Sequence, residues 1–215
     1  MTDQFRAAVA SAARRLAVEG LLIGTAGNVS LRSGDRVAVT PSGLDLAECR
    51  LEDVTVVSLT GRVLTGRLQP TSELGLHLGV YADTDASAVV HTHAPYATAL
   101  ACVLDELPVV HYQQLLLGGS VRVAPYATFG TPELAAHVRD ALAGRQAALM
   151  ASHGSVTVGT TLEQAVDHAL LLEWLAALYH RASALGPVRV LSEEDQVAVI
   201  TAALARGYGT PQENP

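Results

Sequence analysis

The chain has 215 residues, 49% hydrophobic and only 16% charged, which excludes disordered and fibrous classes and fits one buried core, with residues 1–215 as a single domain. Acidic residues outnumber basic ones 21 to 14 and the longest basic run is the pair Arg14 and Arg15, so the chain carries no electrostatic footprint for nucleic acid. Apolar stretches are broken by charge or glycine before the roughly 18 residues a membrane span needs, no secretory leader pattern opens the chain, and a cytoplasmic protein is expected.

Phe5, Val9, Ala12 and Leu16 follow helical spacing and predict a first helix from about residue 3 to Glu19, stopped by Gly20. Gly24 to Ser30 reads as a loop of small residues. Arg36 to Thr40 and Val54 to Leu59 read as strands, the second turning through Thr60 and Gly61 into Arg62 to Leu64, so the early sheet is expected to be antiparallel. Cys49 and Cys102 lack a CxxC spacing and are expected as free, buried thiols. Pro70, Thr71 and Ser72 precede an apolar-periodic segment to Tyr81, the pattern of a helix start, with Glu73 in its first turn.

Ala88 to His93 predicts a buried strand, and Pro95 to Cys102 a helix with proline near its first position. Val121 to Pro125 is a further strand. Thr131-Pro132-Glu133 opens a helix that Gly144 closes, and strands Ala147–Ser152 and Ser155–Val158 flank His153 and Gly154. Thr161 to Gln164 forms a capping box for a long helix to about Leu185, in which Trp174 reads as packing beside Leu171, Leu175 and Leu178. A last helix runs from Ser192 to Arg206. With no repeat or dividing linker, these elements mix in one α/β unit.

His91 and His93 are two apart on a strand, so their imidazoles point to the same side, which is half of a metal site. Spacing alone also fits an unrelated pair, and a third ligand is needed. His153, beside a glycine that permits close approach, would complete a three-histidine site with an open fourth position, the pattern of a catalytic rather than a structural zinc. Glu73 is either a favourable charge on a helix dipole or a functional carboxylate. The hydroxyls of Thr71 and Ser72 at the same helix start, with the loops Gly24-Thr25-Ala26-Gly27-Asn28 and Thr40-Pro41-Ser42-Gly43, could together cradle a phosphate. That combination suggests chemistry on a phosphorylated polyol or keto sugar. Lysine is absent from the chain, which excludes a Schiff-base route.

Five segments then carry a resemblance: Gly27-Asn28-Val29-Ser30-Leu31-Arg32, Thr40-Pro41-Ser42-Gly43, Pro70-Thr71-Ser72-Glu73 followed by His77, His91-Thr92-His93-Ala94, and His153-Gly154. In order and spacing, over roughly residues 5 to 185, the sequence resembles the class II aldolase/adducin family, and within it the zinc-dependent L-fuculose-1-phosphate aldolases. The resemblance implies a three-layer α/β/α sandwich around a mainly antiparallel sheet, assembled as a homotetramer with active sites between subunits. It implies Zn²⁺ on His91, His93 and His153, with Glu73 as an occasional fourth ligand and the acid/base residue. Asn28, Ser42, Gly43, Thr71 and Ser72 would bind the phosphate, with Thr25 nearby. Tyr112 would act across the subunit boundary on the proton of the cleaved hydroxyl, and Tyr208 would close over the aldehyde.

The implied reaction is reversible cleavage of a ketose 1-phosphate to dihydroxyacetone phosphate and an aldehyde. L-Fuculose 1-phosphate and 5-deoxyribulose 1-phosphate are both candidate substrates. Thr71 stands where these aldolases commonly have serine, and Leu74 to Leu76 lacks the aromatic and basic residues often seen there. The alternatives are a sugar-phosphate decarboxylase, dehydratase or 4-epimerase on the same scaffold, the last disfavoured by Glu rather than Asp at position 73, and a non-catalytic interaction module of the adducin type. His77, four residues from Glu73, is expected in the core or supporting the site rather than as a ligand.

Overall fold

The computed structural model describes residues 2–206; Tyr208 lies outside the described residues. The helices are α1 (Thr2–Val18), α2 (Leu74–Asp83), α3 (Pro95–Ala101), α4 (Pro132–Leu142), α5 (Leu162–Leu185) and α6 (Glu193–Arg206). The strands are β1 (Asn28–Ser33), β2 (Arg36–Val39), β3 (Thr55–Ser58), β4 (Val63–Thr65), β5 (Ala88–Thr92), β6 (Glu106–Leu107), β7 (Val121–Ala124), β8 (Ala147–Met150) and β9 (Gly154–Gly159). They form one sheet in the order β4-β3-β2-β1-β5-β9-β8-β7-β6. Every pairing is antiparallel except that of β7 with β8.

Alternation along the central strands feeds two cores. Val29, Val90 and Leu149 pack with residues of α1, α3 and α5 on one face. Val89, Ala148 and Val156 pack with residues of α2 and α4 on the other. The result is the expected three-layer α/β/α sandwich. Two helix starts follow the predicted chemistry, Thr131 accepting from the Leu134 amide and Thr161 from the Gln164 amide, whereas α2 departs from it: Glu73 is its N-cap rather than a first-turn residue, and no side chain caps it. Gln164 answers to the amide of Thr160 rather than that of Thr161.

Three expectations are corrected. The predicted loop Gly24–Ser30 ends inside a strand, because Asn28, Val29 and Ser30 already belong to β1. Its polar residues hid it: Val29 enters the α1 core, whereas Asn28 and Ser30 turn to the α2 face, where buried polar partners await them. Cys102 is exposed at the end of α3, and only Cys49 is buried, with burial pushing its thiol up to about 11. Trp174 is half-exposed and meets His111 edge-on, ring centres 4.9 Å apart, although its neighbour Leu175 is buried.

Candidate metal centre

The centre lies on the α2/α4 face, where β1, β5 and β9 run side by side. Antiparallel pairing sets Asn28 directly opposite His91, and His91 opposite Val156. His93 follows the end of β5, and its Nε2 comes within 3.0 Å of His91 Nε2, so the two imidazoles converge as their spacing predicts. His153 comes from the turn between β8 and β9. Ser152 before it has φ 53, a left-handed conformation in a residue other than glycine, a costly geometry typical of sites where side chains must be aimed. Gly154 after it has no room for a Cβ, which would collide with the Thr92 carbonyl.

One ligand atom from each of His91, His93 and His153 lies within 4.8 Å of the others. His91 is fully buried, and its Nδ1 donates to the Ser155 carbonyl at 2.9 Å, which turns Nε2 toward the cluster. Glu73 stands at the N-cap position of α2, yet its carboxylate caps nothing. Oε2 lies 3.1 Å from His91 Nε2 and accepts from the Asn28 amide at 2.9 Å, while Oε1 lies 3.5 Å from His153 Nε2. The carboxylate of Glu73 therefore turns away from the α2 amides and toward the histidine cluster.

Electrostatics agrees with geometry. Burial works against the charged form of Glu73, but the charge and hydrogen bond of His91, the Asn28 amide and His153 outweigh it and hold the carboxyl well below the usual carboxylate range. Burial also opposes charge on His91, where Glu73 reverses the balance and raises its pKa. Burial and the charge of His91 push His93 down to about 4 and also lower His153. Neutral imidazoles are ready ligands. Glu73 Oε1 is buried without a hydrogen-bond partner among the described residues, a costly arrangement unless a cation or substrate satisfies it. Three imidazole nitrogens beside one carboxylate oxygen fit a divalent ion of borderline softness.

The cleft outside this cluster has a volume of about 500 Å³, within the usual range for small-molecule sites. Its walls include Thr25, Asn28, Ser42, Gly43, Thr71 and Ser72, so the three small-residue segments meet Glu73, His93 and His153 in one place. Backbone bonds join two of them: Ser42 donates to the Gln69 carbonyl, and Thr71 to the Thr40 carbonyl. Thr40 Oγ1 in turn accepts from the Val29 amide, which joins β1. Gly27 turns with φ 95, and a Cβ there would meet Leu22 at 2.5 Å and the His91 carbonyl at 3.0 Å. No arginine is among the lining residues, so an anion there would be met by hydroxyls and backbone N–H groups.

Tyr126, Phe129 and Ser152 also line the cleft, and sequence reasoning missed them. The signal was a pair of aromatics in the loop between a predicted strand and the capped helix. Gly130 lets that loop approach Ser72. Tyr112 is not brought to this cleft within the chain. It starts the 3-10 turn Tyr112–Leu117 and borders a separate apolar pocket with α6. His77 is fully buried beside Asn28 and Ser30 and does not join the cluster.

The sequence matches the family described as Class II Aldolase and Adducin N-terminal domain over residues 7–180. The chain belongs to this family. It is 40% identical over 191 residues to the 5-methylthioribulose-1-phosphate/5-deoxyribulose-1-phosphate aldolase of Rhodospirillum rubrum, covering 88% of this chain and 86% of that protein. It is also 40% identical over 184 residues to the L-fuculose phosphate aldolase of Escherichia coli strain K12, covering 84% and 85%. A solved L-fuculose 1-phosphate aldolase superposes with a TM-score of 0.89 at 35% identity, covering 93% of this chain and 95% of that one. The chain is thus a metal-dependent class II aldolase, and the relatives it matches are named for phosphosugars.

Proposed function

We propose that this aldolase uses zinc to cleave a ketose 1-phosphate reversibly between C3 and C4, giving dihydroxyacetone phosphate and an aldehyde. The observation that carries the reading is a cluster of three histidines and a buried, half-satisfied carboxylate at the wall of a cleft that is also lined by loops of hydroxyl and glycine residues. His91, His93 and His153 would hold the ion. When bound, such an ion supplies Lewis-acid stabilisation of the negative charge left as the C3–C4 bond breaks.

Ser42, Gly43, Thr71 and Ser72, with Thr25 beside them, receive the phosphate, and Asn28 links that end of the cleft to Glu73. Glu73, held as a carboxylate, removes the C3 proton of dihydroxyacetone phosphate in the synthetic direction and returns it to C3 in cleavage. Tyr112 takes the proton of the C4 hydroxyl during cleavage, reaching the cleft of a neighbouring copy in a homotetramer. Tyr208 closes over the aldehyde. L-Fuculose 1-phosphate and 5-deoxyribulose 1-phosphate both end in a methyl group, and the aromatic rings of Tyr126 and Phe129 suit that end.

The test is dihydroxyacetone phosphate release from each of these two sugars by zinc-loaded protein, by chelator-treated protein and by the same protein with zinc restored. Release from at least one sugar, lost with chelator and regained with zinc, is expected. No release from protein that demonstrably holds zinc would overturn the reading and favour the decarboxylase or dehydratase alternatives.

A further inference from the structure

Behind the cleft, four side chains form a buried line that ends on Glu73. Tyr81 Oη lies 2.6 Å from Ser30 Oγ, and Ser30 Oγ lies 2.7 Å from His77 Nδ1. His77 Nε2 meets Asn28 Oδ1, and Asn28 Nδ2 lies 2.9 Å from Glu73 Oε2. All five residues are buried. We propose that His77 is a positioning residue: its Nε2–H fixes which end of the Asn28 carboxamide faces Glu73, and so leaves Oε1 as the free oxygen of that carboxylate. The proposal rests on the role given to Glu73 above.

The polarity of the line follows from what each group is able to donate. An ionised carboxylate only accepts, so Asn28 must offer it the NH₂ end, and its carbonyl end then faces His77. That carbonyl needs a donor, which requires the Nε2–H tautomer. Burial pushes His77 down to about 3, so the ring is neutral and carries a single N–H. Nδ1 is then an acceptor, Ser30 donates to it, and Ser30 Oγ accepts from the Tyr81 hydroxyl. Every proton in the line points toward Glu73.

The reverse polarity fails at one place. With the proton on Nδ1, His77 Nε2 would present a lone pair to Asn28, and the amide would rotate to give it the NH₂. Its carbonyl would then stand 2.9 Å from Glu73 Oε2, two buried acceptors face to face. The tautomer of His77 and the hold on Glu73 are therefore one coupled choice. Packing alone does not call for it, since the same inner face of α2 carries Leu76 and Val80 as ordinary core residues. Buried polar groups on that face cost stability unless each is satisfied.

The test uses the zinc-loaded full chain as wild type, His77→Leu, His77→Gln and Ser30→Ala. Readouts are kcat and KM for the phosphosugar the wild type cleaves, bound zinc, melting temperature, and ¹⁵N–¹H correlation spectra of the imidazoles. His77 is expected as the Nε2–H tautomer. His77→Leu is expected to lower kcat about 10- to 100-fold, the usual cost of losing a partner behind a ligand, with zinc retained and KM changed less than about threefold. Gln, whose amide offers Asn28 a donor, is expected to recover most of the loss. Ser30→Ala, which removes the donor to Nδ1, should shift His77 toward the other tautomer and lower kcat in parallel. An Nδ1–H tautomer in the wild type, or unchanged kcat in a folded His77→Leu, would overturn the proposal; so would equal losses of kcat, KM and zinc in Leu and Gln alike. Should His77→Leu fail to fold, the tautomer and the Ser30→Ala response decide. A wild type that cleaves neither sugar would defeat the functional reading, while the spectrum would still judge the tautomer.

Discussion

At Glu73 two demands meet in one carboxylate: it must stay ionised while buried, and it must keep one oxygen uncommitted. Asn28 and His91 satisfy Oε2, and Oε1 is left to face His153 across 3.5 Å without a hydrogen bond. Glu73→Gln keeps the shape and removes the proposed base. Bound zinc is expected to stay near the wild-type level, because three imidazoles remain, while cleavage and solvent-proton exchange of dihydroxyacetone phosphate both fall by about 10²- to 10⁴-fold. Exchange at the wild-type rate would remove Glu73 from the proton transfer. His93→Ala provides the contrast: it takes away a ligand rather than a base, and metal analysis should find zinc well below the wild-type content.

Strand β1 and helix α2 show at the level of elements what the sequence made legible and what it concealed. The convergence of His91, His93, His153 and Glu73 was legible because a candidate metal site needs particular residue types at recognisable places: a two-residue spacing on a strand, a glycine-flanked turn, a helix start. β1 was concealed because strand signals assume a polar face turned to water, whereas Asn28 and Ser30 spend theirs on α2. The two-residue β6 offered too short a pattern, and the exposed Cys102 no pattern at all. The same β1–α2 contact makes stability depend on pH. His77 is held at about 3 in the fold against an ordinary value of 6.5, so above 6.5 it is neutral in both states and has no effect. As the pH falls below 6.5, the unfolded chain takes up a proton that the folded one refuses, and stability is lost until the pH nears 3. Between pH 6.5 and 5 the loss from this group is about 2 kcal/mol. Thermal unfolding of wild type and His77→Gln across that window should show a shallower decline in the variant; parallel curves would show that His77 is not protonated preferentially in the unfolded chain.

For the whole molecule, the question is what completes the cleft. One chain supplies the histidines, Glu73 and the small-residue loops, but Tyr112 opens instead onto an apolar pocket of about 320 Å³ shared with α6. Helix α6 has no buried residue, and Val197, Ile200 and Leu204 stand exposed on it. In the proposed homotetramer Tyr112 serves a neighbour's cleft, and this has a consequence that a single-chain site does not share. Tyr112→Phe and His93→Ala should each cripple activity when every copy carries the change. In hybrids assembled from both, however, a His93→Ala copy still offers an intact Tyr112 to an adjoining Tyr112→Phe copy whose histidines are intact. Activity should therefore reappear on co-expression, in the hybrid fraction alone, when the two forms carry different affinity tags. If Tyr112 acted within its own chain, no site in any hybrid would hold both residues, and purified hybrids would stay as inactive as their parents.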